Sequence, residues 1–504
     1  MKRRMNSRKV LHSALVVLLL QGPFGATAQG LNNLWLGGFD SDGPPPFGGV
    51  DLDFQNGSMV ITTVSRAIGY RRTSANITDA SGSLLFSTNG TFVANALGDT
   101  MLNGSGLNPG SYVDMYPEGI AMPQGTLILP YPENASTYLL FHMTIHDMVG
   151  LYAEQLFLTT IDMTLDGGLG AVVSKNVPIL VDSLNTGRLT AVRHANGRDW
   201  WVFCHKIDTD MYYRLLVTPT GVSIDGTQSI GAIRHADAGQ VCFSPDGSKF
   251  AYYWGEAGED LDIFQFDRCS GQFFDPIYAP ISDYDGGIGA AFSPNSRFVY
   301  VSSIYDVYQF DTQAADLAAS MVQIAHWDST YSPFPPFATL FDIAQLAQDG
   351  KIYISTGNGT DKLHVIHDPD EPGLACNMEQ HGIALPRYFS NSLPNHPNYH
   401  LGPIDGSVCD SLGITNGLNE SMLQEAVQAY PNPSSGAFVL SYPEQPGVGE
   451  LEVRDLNGRL VQRERIPAWS QVHRVELEGE AAGLYQCRLQ WGTRAVSLRV
   501  VVQQ

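Results

Sequence analysis

The sequence predicts an all-β protein, and three observations support that prediction. Helical periodicity is almost absent, and short apolar or alternating runs are separated by Gly, Asn, Asp and Pro. The 504 residues include 51 Gly and 29 Pro, while charged residues make up only 16% of the chain. A similar turn sequence also returns at intervals near fifty residues. These features are typical of a chain folded from many short strands.

The repeat consists of an apolar strand end, a turn rich in Pro, Asn, Asp and Gly, and an alternating strand rich in aromatic residues. Its turn positions are Gly197, Gly247, Ser296 and Gly350, spaced by 50, 49 and 54 residues. Asp or Asn before Gly tolerates the positive φ that reverses the chain between adjacent strands. The spacing is that of a four-stranded propeller blade, which predicts a β-propeller of the WD40 or YVTN kind with about seven blades, and six or eight blades are also compatible with it.

A second unit follows a change in composition. After a stretch without strand pattern, six or seven short strands fit into about 75 residues, which predicts a small Ig-like β-sandwich. Asn457-Gly458 is its strongest hairpin signal. The predicted boundaries are 1–28 for a signal peptide, 29–410 for the propeller, 411–428 for a linker and 429–504 for the sandwich.

The N-terminus predicts export. Five basic residues precede a short apolar run from Val10 to Leu20, and Ala26-Thr27-Ala28 offers small residues to a signal peptidase. Cleavage after Ala28 would leave Gln29 as the first residue. The apolar run is too short for a permanent membrane span, and no later stretch reaches transmembrane length. We therefore expect the chain to pass the Sec translocon and to carry no transmembrane segment once mature.

The charge restricts the classes of partner. The net charge is −22, and loss of the five basic residues of the N-terminus would lower it to −27. Such a surface repels phosphate backbones and anionic membranes, so nucleic acid is excluded as a partner. Cations, including Ca²⁺, are better suited to it.

Six cysteines follow the predicted cleavage point. None forms a C-x-x-C pair, so neither a zinc site nor a redox motif is supported. An exported chain meets an oxidising compartment. Cys376 and Cys409 both lie in loop-like sequence and are predicted to form a disulfide. Cys204, Cys242 and Cys487 lie in apolar strand patterns, which predicts buried free thiols.

The C-terminal unit resembles the type A sorting domain of the type IX secretion system. The features that carry the resemblance are the opening motif, the hairpin, a Gly-Leu-Tyr strand start and the final strand Val496–Val502. Their residues are Tyr430, Pro431, Asn432, Pro433, Gly436, Asn457, Gly458, Gly483, Leu484 and Tyr485. The resemblance implies that the secretion machinery reads this unit as an export signal and that a surface peptidase removes it. The alternative is a fixed Ig-like module with an adhesive role.

The large unit resembles propeller-like domains found beside such signals, of the hypothetical or gliding-motility-associated kind. The matching motifs are Thr78–Phe86, Met101–Gly104, Asp162–Gly170, Ala191–Trp200, Gln348–Tyr353 and Leu393–Asn395. They are structural in character, so the resemblance implies a fold and no chemistry. Localisation follows from the export signal: secreted or cell-surface, with attachment to lipopolysaccharide after its removal.

Two acidic turns are candidate Ca²⁺ sites. Asp40 and Asp42 precede Gly43, and Asp283 and Asp285 precede Gly286. Ca²⁺ requires six to eight oxygen ligands, and loops of this kind supply several. Neither turn continues to the distal Glu of an EF-hand, and Asp-Gly is also ordinary turn chemistry, the interpretation we favour. No other cofactor is predicted.

No catalytic residue can be assigned from the sequence. It contains neither a Gly-x-Ser-x-Gly elbow nor a phosphate-binding Gly loop. Aromatic pairs such as Trp200-Trp201 and Tyr252-Tyr253 are interpreted as packing between sheets rather than sugar binding. We therefore expect a binding, adhesion or surface-assembly protein with a glycan or protein ligand. The alternative is a hydrolase or lyase, glycan- or metal-dependent, which four or more convergent Asp, Glu, His or Asn side chains at the channel mouth would favour.

Overall fold

The computed structural model describes most of the chain. The described residues are 30–503 apart from 146–151, 236–238, 255–259, 282–285, 334–335, 390–391, 411–426, 446, 457, 478 and 493. In these residues the helical elements are one short helix, α1 (Ser111–Met115), and three 3-10 turns. The turns are Asp166–Gly168, Ala318–Ser320 and Gly373–Cys376. The rest of the regular structure is strand, which confirms the predicted all-β class.

The first two sheets contain eleven strands. A three-stranded antiparallel sheet has the order β1-β2-β3. An eight-stranded sheet has the order β4-β5-β6-β7-β11-β10-β9-β8, in which β7 and β11 join two antiparallel meanders by a single parallel pair, Leu102 with Ala171. The strands are β1 (Leu34–Gly37), β2 (Gly49–Asp53), β3 (Val60–Val64), β4 (Ala75–Thr78), β5 (Leu84–Thr88), β6 (Phe92–Asn95), β7 (Thr100–Ser105), β8 (Thr126–Pro130), β9 (Thr137–His142), β10 (Ala153–Asp162) and β11 (Ala171–Leu184).

Four further sheets each contain four consecutive antiparallel strands. The first two comprise β12 (Thr190–Arg193), β13 (Trp200–His205), β14 (Thr209–Thr218), β15 (Gly221–Arg234), β16 (Gln240–Phe243), β17 (Lys249–Tyr253), β18 (Leu261–Asp267) and β19 (Gln272–Ala279). The last two comprise β20 (Gly287–Phe292), β21 (Phe298–Ser303), β22 (Asp306–Asp311), β23 (Val322–His326), β24 (Ala344–Leu346), β25 (Ile352–Ile354), β26 (Thr360–Ile366) and β27 (Met378–Phe389).

The repeated turns join the first and second strands of these four sheets, as predicted. The four predicted turn positions all have positive φ, 71° at Gly197, 70° at Gly247, 59° at Ser296 and 80° at Gly350. In each turn the side chain of the preceding Asn or Asp accepts a bond from the backbone N–H two residues further on, at 2.9–3.2 Å. The same local chemistry is therefore used four times, even where Ser replaces Gly.

The six sheets surround a common axis, and we call this body the ring. The first strands of neighbouring sheets lie side by side, β12 next to β16, β16 next to β20 and β20 next to β24. The last sheet packs against the first in one apolar cluster, where the Trp35 and Tyr353 ring centroids lie 5.9 Å apart. This arrangement is propeller-like.

Aromatic side chains fill the spaces between sheets. Trp200, Trp201, Tyr252 and Tyr253 are all buried, which confirms that these pairs belong to the core. Phe203 packs on Phe273 with ring centroids 4.7 Å apart, so side chains of two neighbouring sheets interdigitate. Burial of aromatic faces between sheets therefore contributes to the stability of the ring.

The C-terminal unit is a two-sheet sandwich, which we call the C-terminal sandwich. One sheet has the order β28-β29-β32 and the other β31-β30-β33-β34. Its strands are β28 (Gln428–Tyr430), β29 (Ala437–Ser441), β30 (Gly449–Asp455), β31 (Leu460–Ile466), β32 (Val472–Glu476), β33 (Gly483–Trp491) and β34 (Arg494–Val502). One apolar cluster that includes Phe438, Leu451, Tyr485 and Trp491 lies between the sheets.

Among the described residues, no helix has both the length and the apolar character that crossing a bilayer requires.

Candidate binding sites at the two ends of the ring

Long glutamine side chains tie the inner strands of the ring together. The side-chain oxygen of Gln240 accepts bonds from the backbone N–H of Ala290 (2.9 Å) and Ala344 (3.1 Å), while its Nε2 donates to Ala344 O (2.8 Å). Gln124 makes the same two-way contact with the backbone of Val241, at 2.8 and 2.9 Å. These bonds satisfy backbone groups that face the axis and lack a strand partner.

A segment after the last sheet, residues 393–409, crosses the centre of the ring, and we call it the channel segment. Asn395 donates to the backbone oxygens of Thr126 and Leu189, at 2.9 and 2.8 Å. Tyr399 donates its hydroxyl to Ile128 O at 2.8 Å. The channel segment thus bonds to the eight-stranded sheet and to the residue directly before β12, and it occupies much of the interior of the ring.

The channel segment ends in a disulfide between Cys409 and Cys269, whose Cα atoms lie 5.7 Å apart. The predicted Cys376–Cys409 pair is therefore wrong. Cys376 is a buried free thiol in the last 3-10 turn and packs in the apolar cluster of Tyr300 and Phe341. Cys269 lies in the hairpin between β18 and β19, and the channel segment carries Cys409 to that hairpin. Cys204, Cys242 and Cys487 are free, as expected.

At the end of the ring where the repeated turns lie, a cavity of about 120 Å³ extends into the channel. We call it the turn-side cavity. It is lined by residues of β12, β16, β20 and β24, by the channel segment, and by Glu444, Trp469 and Gln471 of the C-terminal sandwich. Its volume has room for several water molecules.

Four buried polar atoms of residues lining this cavity have no hydrogen-bond partner among the described residues. They are His396 Nδ1, Gln348 Oε1, Trp469 Nε1 and Gln471 Oε1. His396 donates from Nε2 to Asn76 O at 2.9 Å, so Nδ1 of the neutral ring is an acceptor. The residues around the cavity therefore carry three acceptors and one donor without a partner among the described residues.

Burial shifts the ionisation of the groups around the turn-side cavity. Burial lowers the pKa of His396 to about 4, and burial followed by the charge of Arg193 does the same for His400. Burial raises the pKa of Glu444 to about 8, although Gln471 and Arg193 oppose that shift. All three groups are therefore predominantly uncharged at neutral pH.

Four or more convergent Asp, Glu, His or Asn side chains at the channel mouth would favour an enzyme, and this cavity has more than four. Six Asn, His and Glu side chains line it: Asn32, Asn395, His396, Asn398, His400 and Glu444. Most of their polar atoms already bond to the protein. Asn398, for example, donates to Pro245 O at 2.9 Å, and Asn32 accepts from His400 Nε2 at 3.2 Å. These side chains hold the channel segment in place.

The opposite end of the ring contains a larger cleft of about 610 Å³, which we call the opposite-end cleft. Its walls come from the loop between β1 and β2, from the segments that precede β4, β8 and β24, from the hairpin between β25 and β26, and from β27. The lining residues are Phe39, Phe47, Arg71, Arg72, Ala121, Phe337, Gly357, Asn358, Gly359 and Tyr388. Its volume is in the range of small-molecule sites.

Aromatic rings and two arginines shape this cleft. The centroids of Phe39 and Phe47 lie 6.3 Å apart, and those of Phe47 and Tyr388 6.1 Å apart. Arg72 donates from Nη2 to both carboxylate oxygens of Asp342, each at 3.0 Å, which holds its guanidinium in place. The Arg71 guanidinium lies 4.6 Å from the ring centroid of Tyr116. Apolar faces and hydrogen-bond donors are thus held on one concave surface.

The sequence did not single out the residues of the opposite-end cleft. Phe39 precedes the glycine- and proline-rich stretch 43–49 and Phe47 lies within it, in a loop and not in a strand. Aromatic residues outside strand patterns were the signal that could have found them, because the strand pairs Trp200-Trp201 and Tyr252-Tyr253 proved to be core.

The first candidate calcium turn follows Phe39, and neither Asp40 nor Asp42 lines either site. Asp40 and Asp42 are exposed, and Asp40 O accepts from Gly43 N at 2.8 Å in a tight turn. Asp283 and Asp285 lie outside the described residues. Within the described part of the chain, no group of three or more His, Cys, Asp or Glu side chains is placed to hold a metal ion. Calcium binding at these turns stays a prediction.

The residues of the predicted sorting motif lie mostly at the edges of the C-terminal sandwich. Tyr430 ends β28 and is exposed, and Asn432 Oδ1 accepts from Val501 N at 2.8 Å. Gly483, Leu484 and Tyr485 open β33. Gly458 has a φ of 79°, as a hairpin glycine requires, whereas Asn457 and the predicted cleavage residues Ala28 and Gln29 lie outside the described residues.

Comparisons with known proteins give one family match and several distant structural likenesses. No curated protein matches the chain. A Lactobacillus plantarum protein is 12% identical over 72% of this chain and 98% of its own, with a TM-score of 0.43. A Quinonprotein alcohol dehydrogenase-like protein from Bacteroides thetaiotaomicron is 12% identical over 72% and 78%, with a TM-score of 0.36. Apo AztD from Citrobacter koseri is 11% identical over 89% and 99%, with a TM-score of 0.33.

With TM-scores below 0.5, these likenesses support no conclusion about this chain. The family match is of another kind, because it covers the C-terminal sandwich from end to end. Residues 428–503 match the Secretion system C-terminal sorting domain, so the C-terminal sandwich is a type IX sorting domain and the protein is secreted or cell-surface.

Proposed function

We propose that this protein is a secreted seven-bladed β-propeller that binds a saccharide in the opposite-end cleft. The blade count follows if the two antiparallel meanders of the eight-stranded sheet are separate blades that share one edge contact. The three-stranded sheet is then the first blade, and the four four-stranded sheets complete the ring.

The single observation that carries the binding function is the opposite-end cleft. A saccharide presents apolar C–H faces and many hydroxyl groups. Phe39, Phe47 and Phe337 supply apolar surface for the former. Arg72, Asn358 and the backbone around Gly357 and Gly359 supply polar groups for the latter. The exposed position of Phe337, 41% accessible, is what an aromatic contact for an incoming ligand requires.

The binding experiment is a glycan array probed with the mature chain, residues 29–504, followed by calorimetry on any hit. Phe337→Ala and Phe39→Ala should each weaken binding by about tenfold or more, since each removes a stacking face. The matched control is Phe274→Ala, because Phe274 is equally exposed (44%) but lies on the outer strand β19. Equal loss in all three variants, or no saccharide bound at all, would refute the proposal.

The proposal includes a division of the chain for export. A signal peptide over 1–28 directs the chain to the Sec translocon, with cleavage between Ala28 and Gln29. The body 29–410 and the sorting domain then cross the outer membrane, and the body is released or attached to lipopolysaccharide. Deletion of 428–504 should leave the body in the periplasm, and undiminished secretion of the truncated chain would contradict this role.

The alternative function is a secreted hydrolase or lyase that uses the turn-side cavity. The convergence of six Asn, His and Glu side chains favours it. Turnover of an array saccharide by the mature chain, abolished in Glu444→Gln or His396→Asn and retained in Phe337→Ala, would establish this alternative. Binding without turnover would exclude it for the saccharide tested.

A further inference from the structure

The C-terminal sandwich meets the turn side of the ring at three separate places. Arg465 forms an ion pair with Glu371 and lies 3.9 Å from Asp370. Pro467 packs against Gly350, and His473 with Arg474 approaches Gly57 in the loop between β2 and β3. Three of these ring residues, Asp370, Glu371 and Gly350, belong to the last sheet and Gly57 belongs to the first, so the contacts join the sandwich to two neighbouring sheets of the ring.

Gly350 is shaped to receive the C-terminal sandwich. It has a φ of 80°, and a Cβ added there would lie 2.7 Å from Pro467 Cβ. At the equivalent turns, a Cβ on Gly197 or Gly247 would meet Pro403 or Leu401 of the channel segment. The repeated turn thus serves as a contact surface three times, and one of the three contacts is with the C-terminal sandwich.

Trp469 lies over the turn-side cavity in an unusual backbone conformation. Its φ is 60°, a left-handed value that costs a bulky residue about 1–2 kcal/mol. The backbone N–H of Trp469 donates to Gln445 O at 2.8 Å, which links the two loops of the sandwich that reach the ring. Trp469 also packs against the ring cluster that includes Val192, Phe243 and Leu401. The local strain is compensated by contacts with the ring.

The cavity itself is built from both units. Two of its unpartnered buried atoms belong to the ring, on His396 and Gln348, and two to the sandwich, on Trp469 and Gln471. Charge is complementary at a second contact, where Arg465 of the sandwich faces Glu371 and Asp370 of the ring, and the carboxyl group of Glu444 lies near Arg193 of the ring. Neither unit alone encloses this space.

We propose that the turn-side mouth of the ring is a docking surface for the C-terminal sandwich of the same chain, which closes the channel there like a lid. Residues 443–445 and 467–471 form the closing loops. Access to the interior of the ring from this side then depends on whether the sandwich is docked. A protein partner that replaces it would need a loop with an aromatic side chain and a nearby carboxyl group.

A natural thiol reports whether the mouth is closed. Cys242 is free and lines the turn-side cavity, and burial raises its pKa to about 12. The experiment treats the mature chain with methyl methanethiosulfonate and follows modification of the Cys242 peptide by mass spectrometry. Cys487, buried in the core of the sandwich, reports unfolding of that unit in the same sample.

Charge reversal should open the lid. Arg465→Glu places a third acidic group against Glu371 and Asp370, and we expect Cys242 to react about tenfold faster or more. Adding Glu371→Arg should restore slow labelling. Trp469→Ala should also accelerate labelling, through loss of packing. The matched control is Arg463→Glu, two residues away on β31, because Arg463 pairs with Glu450 and Glu452 inside the sandwich.

Wild-type labelling rates in both Arg465→Glu and Trp469→Ala would overturn the proposal. So would equal acceleration in Arg463→Glu, or acceleration of Cys242 only together with Cys487, since the sandwich would then be unfolding. This test does not use the opposite-end cleft, so its failure and the failure of saccharide binding are independent results.

Discussion

The ring and the C-terminal sandwich are both stacks of short strands, yet they are stabilised differently. The ring buries many polar side chains, among them His142, His205, His364 and the ion pair of Arg234 with Asp262. The sandwich has one apolar cluster, and its ion pairs lie mostly on the surface of β30, β31 and β32.

The difference follows from architecture. Inner strands around an axis leave backbone groups without strand partners, and polar side chains such as Gln124 and Gln240 must satisfy them. Two facing sheets leave no such groups between them, so an apolar filling suffices. We therefore expect the ring to respond strongly to changes in buried polar groups and the sandwich to respond weakly.

Acidification should produce the largest difference in stability between the ring and the sandwich. Burial lowers the pKa of His142, His205 and His364 to about 3 and of His396 to about 4. Below pH 6.5, the ordinary pKa of histidine, these histidines bind protons in the unfolded chain but not in the folded ring. At pH 5 each histidine then removes about 2 kcal/mol of stability. Buried Asp262 and Asp349, whose pKa is raised by burial, offset part of this loss.

The sandwich should stay stable over the same pH range. In the sandwich, the hydrogen bond from His473 is the largest cause of the lowered pKa of Glu464. The stability that this carboxylate contributes is therefore lost only when the pH falls below 4.5, the ordinary pKa of glutamate. Scanning calorimetry at pH 7 and pH 5 should show the ring transition falling by about 10 °C or more. Equal shifts of both transitions would contradict the contrast.

Loss of the disulfide should come next in size. Cys269 and Cys409 are 140 residues apart, and releasing such a loop in the unfolded state costs about 5 kcal/mol. Cys409→Ser should lower the free energy of unfolding, measured by urea titration, by that amount, and a reductant should do the same to the wild type. Cys376→Ser is the control, because it removes a free thiol. Peptide mapping without reduction should recover the 269–409 pair and no peptide joining 376 to 409.

Breaking one ion pair in each unit gives a smaller and more direct comparison. Arg234 and Asp262 have side chains 0% and 2% exposed, so Asp262→Ala leaves a buried charge and should cost about 3–4 kcal/mol. Glu476→Ala removes the partner of Arg474 at the surface and should cost about 0.5 kcal/mol or less. Urea unfolding at low and high salt measures both. A large effect at Glu476 would show that surface charge matters more than the geometry implies.

Substitution of one turn glycine in each unit should give the smallest difference in stability cost between the ring and the sandwich. Gly247→Ala adds a Cβ at positive φ and places it 2.7 Å from Leu401 Cδ2, so we expect a cost of about 2 kcal/mol. Gly458→Ala has the same backbone penalty with nothing within 4 Å, so about 1 kcal/mol is expected. Denaturant midpoints give both values. Equal costs would mean that the channel segment yields freely at Leu401.

The parts of the fold that local chemistry determines were predictable from the sequence. The turns at Gly197, Gly247, Ser296 and Gly350 follow from Asn or Asp side chains and positive φ, both of which are local properties. In the C-terminal sandwich, the alternating runs 437–442, 450–455, 459–465, 473–478, 483–490 and 495–502 each predict a strand, and each ends within about two residues of an observed strand. Alternation and hairpin residues were sufficient there.

Long-range closure was not predictable in this way. Cys269 lies in an ordinary hairpin, and nothing local indicates that the channel segment would bring Cys409 to it. The opposite-end cleft and the turn-side cavity likewise combine residues more than 300 positions apart, such as Phe39 with Tyr388. Pairing of remote loops depends on how sheets are arranged around the axis, which a single sequence does not state.

The disulfide at Cys409 also has a mechanical consequence. Among the described residues it is the last covalent link within the ring before the sandwich, whose described residues begin at Val427. Tension applied from the C-terminal side would act on the disulfide that joins Cys409 to the hairpin between β18 and β19. The hydrogen bonds of Asn395 and Tyr399 would be shielded from that load, so the interior could stay assembled while the tail is pulled or cut away.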